Sequence, residues 1–332
     1  MTLPFPSKLS LALTPTPLQP LDRLSAELGG PRLWVKRDDL THCALTGNKL
    51  RKLEFVLARA RSENYDTLIT CGGLQSNHCR ATALLGAQLG FKTALVLRGD
   101  TGPMTDGNSL LDSLAGAQIR RFPPAQYRAE LEDLLEQWAE EFRQAGHKPW
   151  IIPTGASDGL GIWGYIDASR ELADDYRREG ISPEWVVSAT GSGGTLGGLA
   201  VGHQSYAPRT GVMGMAVCDD AETFRLKVRA DRQAMVSDCG ISLPEPFAEP
   251  LILDEYIGPG YARAGREVFA TIVRLARLEG LVLDPVYTGK AFHGLIREIE
   301  KGRFDGCRDL VFVHTGGIFG LFPYGEQLLN EC

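Results

Sequence analysis

The sequence predicts an α/β fold built on mostly parallel sheet. Short apolar segments alternate with longer amphipathic ones along the 332 residues, and this alternation indicates parallel α/β architecture. The short segments are apolar or β-branched without strict alternation, as in strands buried on both faces. A chain of this length exceeds one ordinary core, so we expect two domains.

Eight strands and five helices are predicted from these segments. The strands are Arg32–Lys36, Thr67–Cys71, Thr93–Leu97, Gln118–Phe122, Pro149–Pro153, Trp185–Thr190, Val212–Val217 and Leu310–His314. The helical segments between them are Asn48–Arg61, Gln75–Leu89, Tyr127–Ala145, Gly194–Tyr206 and Ala262–Glu279.

The domain organisation follows from the strand–helix series between Thr67 and Pro153, which is self-sufficient as an α/β unit. The Gly-rich segment Pro153–Gly164 follows its last strand. We therefore predict a small α/β domain over residues 51–160 and a large domain formed by residues 1–50 and 161–332. The cleft between them is the expected ligand site.

The composition argues against several function classes. The formal net charge of −6 predicts that neither nucleic acid nor an anionic membrane is a partner. Seven cysteines without a Cys-x-x-Cys pair argue against a disulfide framework or structural zinc, and the histidine spacing offers no metal site. The sequence shows neither a signal-peptide pattern nor an apolar run of about 18 residues, so a cytoplasmic location is expected.

A glycine-rich turn directly follows the predicted strand Trp185–Thr190. In "ATGSGGTLGG" (Ala189–Gly198), successive backbone N–H groups and the next helix start are suited to one phosphate. Leu196 stands where a dinucleotide fingerprint has its third glycine, and no Gly-Lys-Ser/Thr follows as in a Walker A loop. The alternative is a turn that serves only tight packing.

A second glycine turn, in "CGGLQSNHCRATA" (Cys71–Ala83), places Ser76 and Asn77 near a helix start. These residues are either helix caps or part of a carboxylate site that uses the positive end of the helix dipole. His78 is either a third polar group of that site or a structural histidine.

Polar side chains at three later glycine turns are weaker candidates. Tyr261 and Tyr287 each lie beside a turn at a predicted helix start, which is also typical of a core tyrosine with one satisfied hydroxyl. His314 and Thr315 come where an apolar strand ends at a Gly-Gly turn, the end that faces the crevice in open α/β sheets.

Three cations cluster in "LTGNKLRKLEF" (Leu45–Phe55). Lys49 falls in the first turn of a predicted helix, where a cation opposes the dipole, and this structural disadvantage favours a functional role. A buried lysine has a lowered pKa and becomes nucleophilic. We expect Arg51 and Lys52 to stay solvated or to pair with Glu54 or Asp38. No G-x-S-x-G elbow supports a hydrolase triad.

In their order along the chain, these segments resemble the pyridoxal-phosphate enzymes of the tryptophan-synthase-β-like fold, fold type II. Within that fold the chain is similar to the family of D-cysteine desulfhydrases and 1-aminocyclopropane-1-carboxylate (ACC) deaminases, over about Thr14 to Tyr324. The resemblance implies two open, twisted, mostly parallel sheets flanked by helices, an active site in the interdomain cleft, and a cytoplasmic homodimer. The segments are "PTPL", "VKRDDL", "GNKLRKLEF", "GGLQSNHCRATA", "GSGGTLGG", "DPVYTGKA" and "HTGG".

The resemblance also implies how pyridoxal 5′-phosphate is held. Lys49 matches the lysine that forms the Schiff base with this cofactor, and Asn77 matches the residue hydrogen-bonded to the cofactor's 3′-oxygen. The cradle of the 5′-phosphate is matched by Gly191, Ser192, Gly193, Gly194 and Thr195.

For a small amino-acid substrate, the resemblance implies a carboxylate site at Ser76, Asn77 and the amides around His78. It implies that Lys49 removes the α-proton and that Ser76, Tyr261 and Tyr287 complete the catalytic set. The implied reaction is β-elimination on D-cysteine to pyruvate, hydrogen sulfide and ammonia, and the D preference is implied by the resemblance alone. Alternatives are an ACC deaminase or an L-cysteate sulfo-lyase on the same scaffold, and a non-catalytic binder of a phosphate ligand.

Two threonines separate the activities within this family. ACC deaminases carry Glu after the second tyrosine and Leu in the terminal H-x-G-G, where this chain has Thr288 and Thr315. A neutral hydroxyl from Thr288 or Thr315 near the pyridine nitrogen leaves the ring unprotonated, which favours prompt β-elimination. This pattern resembles the D-cysteine desulfhydrases, especially those of plants.

Overall fold

The larger of two sheets has six strands. The computed structural model describes residues 3–99, 102 and 104–332. In spatial order the strands are β1 (Leu18–Pro20), β2 (Arg32–Lys36), β10 (Asp309–Val313), β7 (Trp185–Thr190), β8 (Gly211–Ala216) and β9 (Leu251–Leu253). β1 runs antiparallel to β2, and every other neighbouring pair is parallel.

The smaller sheet has four strands, all parallel. In spatial order they are β5 (Gln118–Phe122), β4 (Lys92–Arg98), β3 (Thr67–Gly73) and β6 (Pro149–Ile151). All seven residues of β3 are buried, as are all five of β10, which agrees with the predicted strands covered on both faces. In the register of β3 and β4, Gly73 lies opposite Arg98.

Helices cover both sheets, and short 3₁₀ turns join them. The α-helices are α1 (Asp22–Leu28), α2 (Asn48–Ser62), α3 (Asn77–Leu89), α4 (Gly107–Leu114), α5 (Pro124–Gln144), α6 (Trp163–Arg178), α7 (Gly194–Tyr206), α8 (Ala221–Cys239), α9 (Arg266–Glu279), α10 (Thr288–Glu300) and α11 (Gly325–Leu329). The 3₁₀ turns are Asp38–Leu40, Thr154–Ala156, Ile318–Gly320 and Phe322–Tyr324. Among the residues that the structure describes, no helix is both long and apolar enough to cross a membrane.

The predicted α/β class with two mostly parallel sheets is confirmed, with local differences in the elements. α9 begins at Arg266 and not at Ala262, because Ala262 has a φ of 57° and lies in the left-handed region. β1 and β9 have three residues each, too few to show a period in sequence. The strands of the small sheet all fall within residues 51–160 and those of the large sheet outside them, whereas the domain bounds themselves stay a prediction.

The expectation that Arg51 and Lys52 are solvated is wrong, because α2 is packed on almost every side. Their exposed fractions are 3% and 0%. α6 crosses α2 so closely that a Cβ on Gly164 would lie 2.6 Å from the carbonyl carbon of Arg51. The alternative pairing with Asp38 does occur: Arg51 donates to both its carboxylate oxygens, at 2.8 and 2.9 Å.

Candidate active site

A cavity of about 600 Å³ lies where the carboxyl ends of strands from both sheets meet. Gly73 ends β3, Gly191 follows β7, and Thr315 follows β10. In the small sheet β4 and β6 lie on opposite sides of β3, and in the large sheet β8 and β10 lie on opposite sides of β7. Both places are therefore topological switch points, the usual ligand position in open α/β sheets.

The loop Gly191–Thr195 forms a cradle of backbone donors at the start of α7. Gly193 has a φ of 83°, which turns the chain into the helix. The N–H groups of Ser192, Gly193 and Thr195 have no acceptor among the described residues. Gly194 does not line the cavity itself; its N–H donates to Ser157 Oγ at 3.2 Å. The free donors and the helix dipole together suit an anion.

Lys52 lies against this cradle, a position that the sequence did not predict for it. Its Nζ donates to Gly155 O at 3.1 Å and to Ser157 Oγ at 3.2 Å. A Cβ on Gly194 would lie 2.9 Å from this nitrogen. Burial, reinforced by the charge of Lys49, holds the Lys52 pKa well below its usual range. A buried ammonium with only neutral partners in the described chain is suited to receive an anion.

Lys49 lies in the first turn of α2, as predicted, with its amine in the cavity lining. Its Nζ donates to Asn48 Oδ1 at 3.0 Å and is 6.0 Å from the centroid of the Tyr287 ring. Burial lowers the Lys49 pKa to about 8, assisted by the positive charge of Arg80 and opposed by Asp284. About a tenth of this amine is therefore neutral and nucleophilic at pH 7.

The first turn of α3 contains the predicted cap and leaves two backbone donors free. Ser76 is the cap, since its Oγ accepts from the N–H of Cys79 at 3.2 Å. The N–H groups of Asn77 and His78 still have no partner in the described part of the chain. These donors face the cavity end of a 13-residue helix, where the dipole favours a carboxylate.

The Asn77 amide has a fixed orientation. Its Oδ1 accepts from Arg80 at 3.3 Å and from Asn108 at 3.0 Å. The Nδ2 group is thereby left to donate into the cavity. The His78 ring turns the other way: its Nε2 donates to Thr70 Oγ1 at 2.8 Å, because the Thr70 hydroxyl proton already goes to Ile152 O. The side chain of His78 is therefore structural, and its backbone N–H is the group offered to a ligand.

Tyr261 and Tyr287 meet in the cavity with their hydroxyl oxygens 2.7 Å apart. Each ring rests on a glycine at the end of a strand. A Cβ on Gly73 would lie 3.1 Å from Tyr261 Cε1, and one on Gly191 would lie 2.9 Å from Tyr287 Cε1. Burial raises the pKa of Tyr261 to about 12 and that of Tyr287 well above its usual value. Both hydroxyls stay protonated, so one hydroxyl proton forms the hydrogen bond between the two tyrosines and the other is free to be donated to a ligand.

The two threonines have different environments. Thr288 is fully buried outside the cavity lining, and its hydroxyl donates to Asp284 Oδ1 at 2.7 Å and accepts from the Asp284 N–H at 2.9 Å. Thr288 thus holds the turn that carries Tyr287, and the structure does not bring it to the predicted cofactor position. Thr315 lines the cavity, and its hydroxyl has no partner among residues 3–99, 102 and 104–332.

A family model described as "Pyridoxal-phosphate dependent enzyme" matches residues 9–316. The chain belongs to this family. The assignment confirms the predicted cofactor class.

Curated relatives of this chain are named D-cysteine desulfhydrase, 1-aminocyclopropane-1-carboxylate deaminase, or both. A D-cysteine desulfhydrase of Yersinia pestis is 40% identical, over 98% of this chain and 97% of its own. A bifunctional D-cysteine desulfhydrase/1-aminocyclopropane-1-carboxylate deaminase of Arabidopsis thaliana is 38% identical, over 98% of this chain and 82% of its own. A putative 1-aminocyclopropane-1-carboxylate deaminase of Pyrococcus furiosus is 41% identical, over 95% and 93%.

Two solved structures share the fold. An ACC deaminase homologue superposes with a TM-score of 0.89 at 36% identity, covering 99% of this chain and 97% of its own. A threonine deaminase of Solanum lycopersicum, at 16% identity and a TM-score of 0.65 over 96% and 83%, is similar in fold alone.

Proposed function

We propose that this chain is a carbon–sulfur lyase that eliminates the β-substituent of D-cysteine to give pyruvate, hydrogen sulfide and ammonia. The observation that carries the proposal is a half-buried Lys49 amine with a pKa near 8, set in one cavity with a free helix N-terminus and a protonated tyrosine pair. The desulfhydrase names of relatives at 38% and 40% identity support the choice of substrate.

The residues present fit pyridoxal 5′-phosphate group by group. The free N–H groups of the Gly191–Thr195 loop and the Lys52 ammonium would take the phosphate, and the Lys49 amine would take the aldehyde. The Asn77 amide would donate to the 3′-oxygen, and the neutral Thr315 hydroxyl would meet the pyridine nitrogen. When bound, the cofactor withdraws electrons from the substrate's α-carbon.

The chain's own groups would bind and orient the amino acid. The backbone N–H groups of Asn77 and His78, with the Ser76 hydroxyl, would hold the α-carboxylate at the start of α3. This places the α-carbon between α3 and Lys49, since both line the same cavity. The fixed carboxylate restricts rotation of the substrate and presents one face of the α-carbon to the lysine.

Proton transfer would use Lys49 and the tyrosines. The neutral Lys49 amine would accept the α-proton, and a pKa near 8 makes this form accessible at neutral pH. The free proton of the pair Tyr261–Tyr287 would be donated to the departing sulfur. Both phenols are protonated throughout the physiological pH range, because burial raises their pKa values.

The first experiment measures 2-oxo acid, ammonia and sulfide release from D-cysteine, L-cysteine, L-cysteate, ACC and β-chloro-D-alanine. We expect D-cysteine to be turned over most efficiently. The second candidate is ACC deaminase activity, which the names of two relatives favour. Efficient turnover of ACC together with inert D-cysteine would overturn the proposal in favour of that activity.

Lys49→Ala tests the site. The variant should lose turnover and the borohydride-reducible bond to the cofactor, whereas Lys92→Ala, at the exposed amino end of β4, should keep both. Full turnover by the Lys49 variant would contradict the assignment. A homodimer and a cytoplasmic location stay predictions, which light scattering and cell fractionation would test.

A further inference from the structure

Arg98 brings a positive charge to the cavity that none of the proposed steps uses. It is the last residue of β4, next to Gly73 of β3, and it lines the cavity half-buried. Its guanidinium carbon lies 4.6 Å from the centroid of the Tyr261 ring and 5.7 Å from that of Tyr127. Stacking on two aromatic rings holds the side chain in place and leaves its N–H donors free.

This guanidinium has no acidic partner in the described part of the chain. Arg51, the deeply buried arginine of α2, binds two carboxylates, whereas no hydrogen bond or ion pair connects Arg98 to any described residue. The exposed Arg128, also in the cavity lining, adds a second positive charge. The acidic residue of the lining, Asp219, lies beside Cys218 and accepts from its thiol at 3.0 Å.

The substrate's α-carboxylate already has a place at the start of α3. Arg98 lies on the neighbouring strand, opposite Gly73 that ends the strand before α3, and its guanidinium stacks on the Tyr261 ring. Since Arg98 and the start of α3 line the same cavity, an amino acid held at α3 by its α-carboxylate would engage Arg98 most strongly through a second anionic group on its side chain. An arginine with free donors suits such a group well, since its planar donors match a carboxylate or sulfonate.

We propose that Arg98 is a specificity-determining residue that binds an anionic group at the β-carbon of the amino-acid ligand, so that the cavity prefers thiolate, carboxylate or sulfonate substituents to neutral ones. The inference rests on the proposed function in one respect, that the ligand is an amino acid held by its α-carboxylate at α3. It goes further by naming the class of side chain and the residue that selects it.

Binding of two amino acids to the cofactor-loaded protein tests the proposal. Aspartate carries a carboxylate at the β-carbon and alanine carries none, and neither has a sulfur leaving group. Dissociation constants for both, in both configurations, are measured by calorimetry and by the change in cofactor absorbance. We expect Arg98→Gln to weaken the better-bound aspartate enantiomer at least tenfold and alanine less than threefold. Arg98→Lys keeps the charge and should stay within fivefold of the unsubstituted protein.

Arg120→Gln is the matched control, because Arg120 lies on the neighbouring strand β5, outside the cavity lining, and pairs with Glu141. It should leave both dissociation constants unchanged. Equal weakening of aspartate and alanine by Arg98→Gln would overturn the inference, since Arg98 would then bind the α-carboxylate. Undetectable aspartate binding by the unsubstituted protein would overturn it as well.

The outcomes also separate this inference from the proposed reaction. If aspartate binding depends on Arg98 but no β-substituted amino acid is turned over, the anion site stands and the reaction falls. If D-cysteine is turned over but aspartate binds equally well with Arg98→Gln, the anion site falls and the reaction stands.

Discussion

Replacing Lys52 by methionine should have opposite effects on the cofactor-free protein and on cofactor affinity. The Lys52 ammonium is completely buried, and its two partners are neutral oxygens. Both partners have other hydrogen bonds: Ser157 Oγ accepts from the Gly194 N–H and meets Ser192 Oγ, and Gly155 O accepts from Ser157. Methionine keeps most of the length of the side chain and removes the charge, so the charge is the main loss.

The magnitudes follow from these contacts. A charge-assisted hydrogen bond contributes about 1.5–3 kcal/mol, so the affinity for pyridoxal 5′-phosphate should fall by roughly 10- to 150-fold. In the cofactor-free protein the same charge is desolvated and hydrogen-bonded only to neutral oxygens, and the charges of Asp231 and Asp158 offset this only in part. Its removal should raise the free energy of unfolding by about 1 kcal/mol.

The pH dependence of stability has a definite sign. Because burial holds the folded Lys52 pKa below its unfolded value of 10.5, the unfolded chain binds more protons between the two pKa values, and stability rises with pH through that window. Urea unfolding of the cofactor-free protein from pH 7 to pH 10 should therefore show a shallower rise for Lys52→Met.

Two controls isolate the phosphate contribution. Pyridoxal lacks the phosphate, so its dissociation constant, measured by absorbance, should change less than threefold in Lys52→Met. Lys92→Met removes an exposed lysine and should leave affinity and stability unchanged. A less stable cofactor-free variant with undiminished affinity for pyridoxal 5′-phosphate would refute the reasoning, since Lys52 would then be only structural.

Three further predictions concern neighbouring groups. The rate at which the cofactor-free protein binds pyridoxal 5′-phosphate covalently should rise with pH and level off above about 8, the Lys49 pKa, because the protonated amine is not nucleophilic. Stopped-flow absorbance measures this rate. A midpoint of the pH profile near 10.5 would contradict the prediction. Arg51→Met should cost about 3–5 kcal/mol in urea unfolding, because it leaves buried Asp38 without its bidentate partner; a loss below 1 kcal/mol would argue against the pairing. Thr288→Val should cost about 1–3 kcal/mol by removing both bonds to Asp284, whereas Thr315→Val should change the cofactor spectrum with little effect on stability, and the reverse pattern would exchange the two roles.

The strands and glycine turns of this fold could be predicted because their signals are local. Apolar runs such as β2 and β7 have the predicted bounds. The first turn of α3 could be predicted from Ser76 and Asn77, since capping depends on residues close in sequence. Lys49 was detectable for a similar reason, because its conflict with the helix dipole is visible in the sequence.

The burial of Arg51 and Lys52 could not be predicted because it depends on segments distant in sequence. A charged residue on a helix is predicted to be exposed unless its partner is known. The hydrogen-bond partners of Lys52 lie in a turn about 100 residues later in the sequence. Thr288 directly follows Tyr287, yet the start of α10 turns its hydroxyl back to Asp284. The one available signal for Lys52 was its spacing of three from Lys49, which places both on one helix face.

That shared face has a consequence for how the cofactor is held. Lys49 and Lys52 rise one turn apart on α2, a separation of about 4.5 Å along the axis. The same rigid helix would thus hold both the aldehyde end and the phosphate end of the cofactor. Because α6 packs closely against α2 at Gly164, a displacement of α6 would weaken the binding of both ends of the cofactor at once.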